Sequence, residues 1–74
     1  MSNVMLMLDR RICGRGKHLL RSAVRDGFVV VPDGPDIAAL SPVRLSGFVQ
    51  AVGKDRYEPT PAGRAYLERL ARAD

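Results

Sequence analysis

Apolar positions recur at helical spacing between residues 17 and 27. Leu20, Ala23, Val24 and Gly27 stand at i, i+3, i+4 and i+7, which lays one apolar stripe along a helix. The pattern predicts a helix over 17–26 that stops at Gly27, because a residue without a Cβ takes the left-handed closing turn at no steric cost. Lys17, Arg21 and Arg25 follow at i, i+4 and i+8 on the opposite side. Like charges at that spacing cost an isolated helix about 0.2–0.5 kcal/mol per pair, unless a polyanion or salt screens them.

Downstream the pattern shortens. Phe28-Val29-Val30-Val31 is a continuous, largely β-branched run and predicts a buried strand. Pro32-Asp33-Gly34-Pro35 has the residues of a turn. Residues 36–40 fit either a returning strand or a short helix. Ser41 before Pro42 has the form of a helix start, with a short helix through Leu45 ending near Gly47. Phe48 to Val52 reads as a second strand, Gly53-Lys54-Asp55 as a tight turn, and Arg56-Tyr57-Glu58 as the returning strand, which Pro59 confines to an edge or an end. Thr60 and Pro61 then open a last helix, with Tyr66, Leu67, Leu70 and Ala71 as its apolar stripe and Ala62 and Gly63 one turn earlier. Arg64 and Glu68 are spaced to pair across one turn. Upstream, Gly14 and Gly16 make residues 9–16 read as a basic loop, and Gly14-Arg15-Gly16-Lys17 is similar to minor-groove arms that set Arg between glycines.

The halves echo each other. Gly27-Phe28-Val29 returns as Gly47-Phe48-Val49 at an offset of 20, and Ser41-Pro42 and Thr60-Pro61 close the two units. A duplicated unit of helix end, hairpin and helix start would make residues 36–40 a returning strand. The elements together predict an α+β domain, with helices packed on one or two short β-hairpins. Its division is an N-terminal segment and basic loop over 1–16 and a folded domain over 17–74.

Seventy-four residues, 46% of them hydrophobic and 27% charged, are the size and mixture of one small globular domain. With no Trp, two Phe and two Tyr, the core must come mainly from aliphatic side chains. One Cys (Cys13) and one His (His18) make neither an internal disulfide nor a structural zinc site, and a lone cysteine suits a reducing compartment. The apolar run Val4–Leu8 is too short to span a bilayer and has no basic lead-in, so the expected location is cytoplasmic, without membrane contact. No carboxylate stands at helical spacing to orient His18, and no phosphate-binding glycine loop occurs. The expectation is therefore a protein with no catalytic residues, metal or cofactor.

Charge changes the picture. Formal net charge is +4, and it is uneven: residues 1–26 hold six Lys/Arg against two Asp, residues 27–55 two against three, and residues 56–74 four against three. A small basic domain of this kind points to a polyanion, with nucleic acid the leading partner.

Residues 47–67, from Gly47-Phe48-Val49 through Gly53-Lys54-Asp55-Arg56-Tyr57 to Thr60-Pro61-Ala62-Gly63-Arg64, resemble the C-terminal part of bacterial winged helix-turn-helix regulators. The resemblance implies a winged-helix-like fold in which a helix ends at the Gly-apolar-Val step, a wing hairpin follows, and Lys54 and Arg56 sit at the wing tip against phosphates or the minor groove. It covers about a third of the chain. Upstream, Ile37 to Ser46 offers ten residues where a helix-turn-helix pair occupies about twenty, which turns attention to the basic helix 17–26 as the groove-facing element. The resulting expectation is a small DNA-binding protein, a transcriptional regulator or accessory factor that contacts double-stranded DNA through Lys17, Arg21, Arg25, Arg44, Lys54 and Arg56. The alternative is a protein-interaction module, an inhibitor or adaptor on the same scaffold. A homodimer would serve either role by burying more surface.

Overall fold

The computed structural model describes residues 12–73. The elements run α1 (Gly14–Asp26), β1 (Val29–Val30), α2 (Pro35–Leu45), β2 (Val49–Gly53), β3 (Arg56–Pro59) and α3 (Pro61–Ala73). The strands form one antiparallel sheet in the order β1-β3-β2, so this part of the chain is a small α+β domain. The Val4–Leu8 run and the first residues of the expected basic loop lie outside the described residues.

α1 extends beyond the predicted helix. It starts at Gly14, so Gly14, Arg15 and Gly16 are helical rather than a loop or a groove-inserting arm. The reason for Gly16 is contact: a Cβ there would stand 2.7 Å from the carbonyl oxygen of Ala39 and 3.3 Å from Val43. The glycine lets α1 and α2 touch backbone to side. Ile12, just before the helix, is 2% exposed and packs in the core. At the other end Gly27 takes φ 89°, the left-handed closing turn expected of it, with Arg25 near the negative helix end.

The middle of the chain departs from expectation. Of the two alternatives for residues 36–40 the structure has the helix and not the returning strand, but as part of the longer α2, which runs unbroken through Ser41 and Pro42. Pro35, not Pro42, occupies the first helical turn, where its missing N–H costs nothing. Inside the helix Pro42 removes the hydrogen bond that Ala38 would receive, a penalty of about 3 kcal/mol. Leu40 and Val43 are buried to 1% and 0% exposure. Full burial of each contributes about 1.5–3 kcal/mol, enough together to offset the proline. The helix ends where the Ser46 hydroxyl donates to the Pro42 carbonyl at 2.8 Å.

Tertiary pairing also shortens the first strand. Only Val29 and Val30 pair, opposite Tyr57 and Arg56, so β1 is an edge of two residues and Val30 remains exposed. Val31, by contrast, is buried. Pro32–Pro35 bends the chain directly into α2, leaving a single hairpin among the described residues. The duplication therefore stops after its first step: Gly27 and Gly47 both take left-handed geometry at φ 89° and 78°, and both precede a Phe-Val pair, but the segments beyond them differ.

The second half matches its sequence pattern closely. β2 and β3 pair from Val49↔Pro59 to Gly53↔Arg56, with Val52 displaced in a bulge and Asp55 at φ 61° in the turn, a conformation Asp tolerates. Pro59 is the final residue of β3. The Thr60 hydroxyl receives the Gly63 N–H at 3.1 Å and donates to the Gly47 carbonyl, which ties the start of α3 to the turn that closes α2. Gly63 is buried directly on the Phe48 backbone. The core joins Leu19 and Leu20 from α1, Leu40 and Val43 from α2, Val49 and Tyr57 from the sheet, and Tyr66 from α3. Tyr66 stacks on Phe48 with ring centroids 4.5 Å apart. The Arg64–Glu68 pair does not form; the ion pairs among the described residues are Arg15–Asp36 and Arg25–Asp26.

Candidate nucleic-acid interface

Each candidate cation owes its position to the core packing on the far side of its element. α1 turns Gly16, Leu19, Leu20 and Ala23 inward, toward α2 and the sheet. Arg21 and Arg25 consequently project outward and are exposed, while Lys17 stands half-buried at the margin. Arg25 donates from Nε and Nη2 to its neighbour Asp26, at 3.1 and 3.2 Å. That pairing holds the Asp26 carboxyl below its ordinary pKa, chiefly through the hydrogen bond, and reduces the charge Arg25 can offer an anion.

The other three lie on and beside the hairpin. Lys54 is exposed in the turn between β2 and β3. Arg56 alternates with Tyr57 along β3: Tyr57 is 8% exposed and faces the core, so Arg56 leaves through the side of the sheet turned away from the helices. There its guanidinium lies over the Phe28 ring, 3.9 Å from the centroid. Arg44, in the last turn of α2, stands 5.9 Å from the centroid of the Tyr57 ring. Such contacts contribute about 0.5–1 kcal/mol at exposed sites, and they hold a planar donor group in a fixed orientation. Neither pairing was legible in the sequence, because Phe28 meets Arg56 only through the β1–β3 register.

The six residues thus form two groups. Lys17, Arg21 and Arg25 occupy the outward side of α1. Lys54 and Arg56 occupy the hairpin and the outer side of the sheet, with Arg44 at the edge of α2. Among the described residues, Lys17, Arg21, Arg44, Lys54 and Arg56 have no carboxylate partner. The outward side of α2 is nearly free of charge: Ala38, Ser41 and Leu45 fall there and are exposed, Leu45 to 79%.

A cation outside the candidate set has a structural role. Arg15 clamps Asp36 with two parallel hydrogen bonds, Nε–Oδ1 at 3.0 Å and Nη2–Oδ2 at 2.8 Å, and joins the first turns of α1 and α2. The hydrogen bond from Arg15 is the main reason the Asp36 carboxyl sits below its ordinary pKa. Because Asp36 is more acidic folded than unfolded, the clamp stabilises the fold above the unfolded carboxylate pKa of about 3.9 and is lost as pH falls through the lower folded value. Asp36→Asn should therefore lower the melting temperature slightly at neutral pH and flatten its decline between about pH 5 and pH 2. Parallel melting curves of variant and parent across that range would contradict the assignment.

Among the described residues no pocket opens, no cluster of His, Cys, Asp and Glu could hold a metal ion, and no helix is long and apolar enough to cross a membrane. Cys13 is exposed, immediately before α1. Comparison with protein-family models, curated proteins and solved structures returns no match.

Proposed function

We propose that this chain binds double-stranded DNA through its phosphate backbone, on a winged-helix-like scaffold, as a transcriptional regulator or accessory factor. The observation that carries the reading is that Lys17, Arg21, Arg44, Lys54 and Arg56, together with Arg64, Arg69 and Arg72 on α3, are left without acidic partners among the described residues of a chain with net charge +4. Three features support the winged-helix resemblance: α2 closes at Gly47 before Val49, a β2–β3 hairpin follows with Lys54 at its turn, and Thr60 caps the helix after it. One departure bears on how DNA would be read. A single eleven-residue helix stands where the family has two, and its outward side offers Ala38, Ser41 and Leu45 rather than the Arg, Asn or Gln that discriminate base edges. Contacts to phosphate accordingly dominate the proposed interface.

Neutralising as few as about two phosphates gives a log–log salt slope near −1.8, so gel-shift affinity for duplex DNA should fall at least about tenfold between 50 and 200 mM salt. Absence of any shift at the lower salt would discard the reading. A second reading, docking on another protein, is favoured by one observation: the exposed Leu45 beside Ala38 and Ser41 on α2. If that reading is correct, a partner recovered from nuclease-treated lysate is released by Leu45→Glu, a change that leaves the DNA gel shift untouched.

A further inference from the structure

The two groups of cations leave the domain in different directions, and that has a consequence for stoichiometry. Arg21 lies on the side of α1 away from α2 and the sheet, with Lys17 half-buried at the margin of that side; Arg56 lies on the side of the sheet away from the helices, next to Lys54. The core lies between them, in a domain measuring 34 × 21 × 18 Å. Duplex DNA has a persistence length of about 50 nm, far greater than these dimensions, and behaves here as a rod. A rod against the hairpin does not reach the outward side of α1, and wrapping it round so small a domain would require a bend that two or three phosphate contacts cannot offset.

We infer that one chain joins two duplexes, one held at Lys54 and Arg56 and the other at Lys17 and Arg21. This inference rests on the DNA-binding reading and specifies its partner count. Each surface has local features that suit it. On the hairpin, Phe28 fixes the plane of the Arg56 guanidinium, so less rotamer freedom is lost when a phosphate arrives. On α1, the like-charged pair Lys17–Arg21, mildly unfavourable in the free helix, is relieved when a phosphate lies between the two. Arg25 contributes least, since Asp26 already holds it. Both surfaces are electrostatic, so bridging needs no shared base sequence and disappears at high salt.

The test is a capture experiment with two unrelated short duplexes, one fixed to beads and one fluorescent in solution, run beside a gel shift on a single duplex. The unaltered chain should hold the fluorescent duplex on the beads at low salt. Lys17→Gln with Arg21→Gln, and separately Lys54→Gln with Arg56→Gln, should each abolish capture at low salt, because each removes both phosphate contacts of one surface, while each still shifts a single duplex through its remaining surface. A cooperative thermal melt of each variant shows that it folds. Three results would overturn the inference. A chain that shifts one duplex but never captures a second removes bridging and leaves DNA binding standing. Capture that survives the α1 change, with all binding lost in the hairpin variant, means one surface per chain and association between copies. No shift at all removes the inference together with the function it rests on.

Discussion

Tyr66→Ala should lower the melting temperature by at least about 12 °C, the shift that 3 kcal/mol produces in a domain of this size. Tyr66 is 2% exposed and is the largest of the fully buried side chains. It stacks on Phe48 at 4.5 Å with the ring planes 18° apart, and it anchors α3 to the rest of the core. Removing a buried aromatic ring costs about 3–5 kcal/mol through lost transfer energy and the cavity left behind. At about 0.05–0.15 kcal/mol per residue, the whole chain has about 4–11 kcal/mol of stability to lose. The variant should therefore lose about a quarter of that stability or more. A fall below about 4 °C, the equivalent of 1 kcal/mol or less, would mean that α3 contributes little to the core.

Gly63→Ala should destabilise the fold by about 1–3 kcal/mol, the usual cost of forcing atoms into a packed site, despite the better helix former. Propensity alone argues the reverse, since alanine is favoured over glycine by about 1 kcal/mol in a helix interior. The site decides otherwise. A Cβ on Gly63 would overlap the Phe48 carbonyl oxygen and stand 3.0 Å from the Phe48 carbonyl carbon. These are backbone atoms, fixed by the Thr60 N–H that donates to that carbonyl at 3.0 Å, and they cannot rotate away as a side chain can. Equal or higher stability in chemical denaturation would show that α3 can slide off Phe48 without loss.

These two positions also show where sequence pattern succeeds. The Gly47–Leu67 region was readable because its signals are local and agree: a closing glycine, a strand, a tight turn, a second strand, and a Thr-Pro helix start. The middle was not readable because Pro35 suits the end of a turn as well as the first turn of a helix, while Ser41-Pro42 has the form of a helix start, and local rules do not rank Pro35 against Pro42. Burial ranks them, since a helix from Pro35 places both Leu40 and Val43 in the core. Gly16 misled in the same way. In sequence it signals a break; in the fold it leaves room for the Ala39 carbonyl and Val43 of α2 against α1. For the candidate interface, composition identified the cations but not their directions. The outward exit of Arg21 follows from helical periodicity, whereas the placement of Arg56 over Phe28 depends on a strand register that no spacing rule supplies.

The order β1-β3-β2 puts the strand that comes last in the chain at the centre of the sheet. During synthesis, then, β1 has no neighbour until Arg56–Pro59 has emerged, and Leu20, Val31 and Leu40 remain without their full surroundings until Tyr57 and Tyr66 arrive. A ribosome-bound chain halted at Asp55 should show no cooperative melt and should be cut readily by protease within α1. Completion of the fold waits for the segment from Arg56 to Ala73, and until it is made the nascent chain carries apolar surface that a chaperone can recognise.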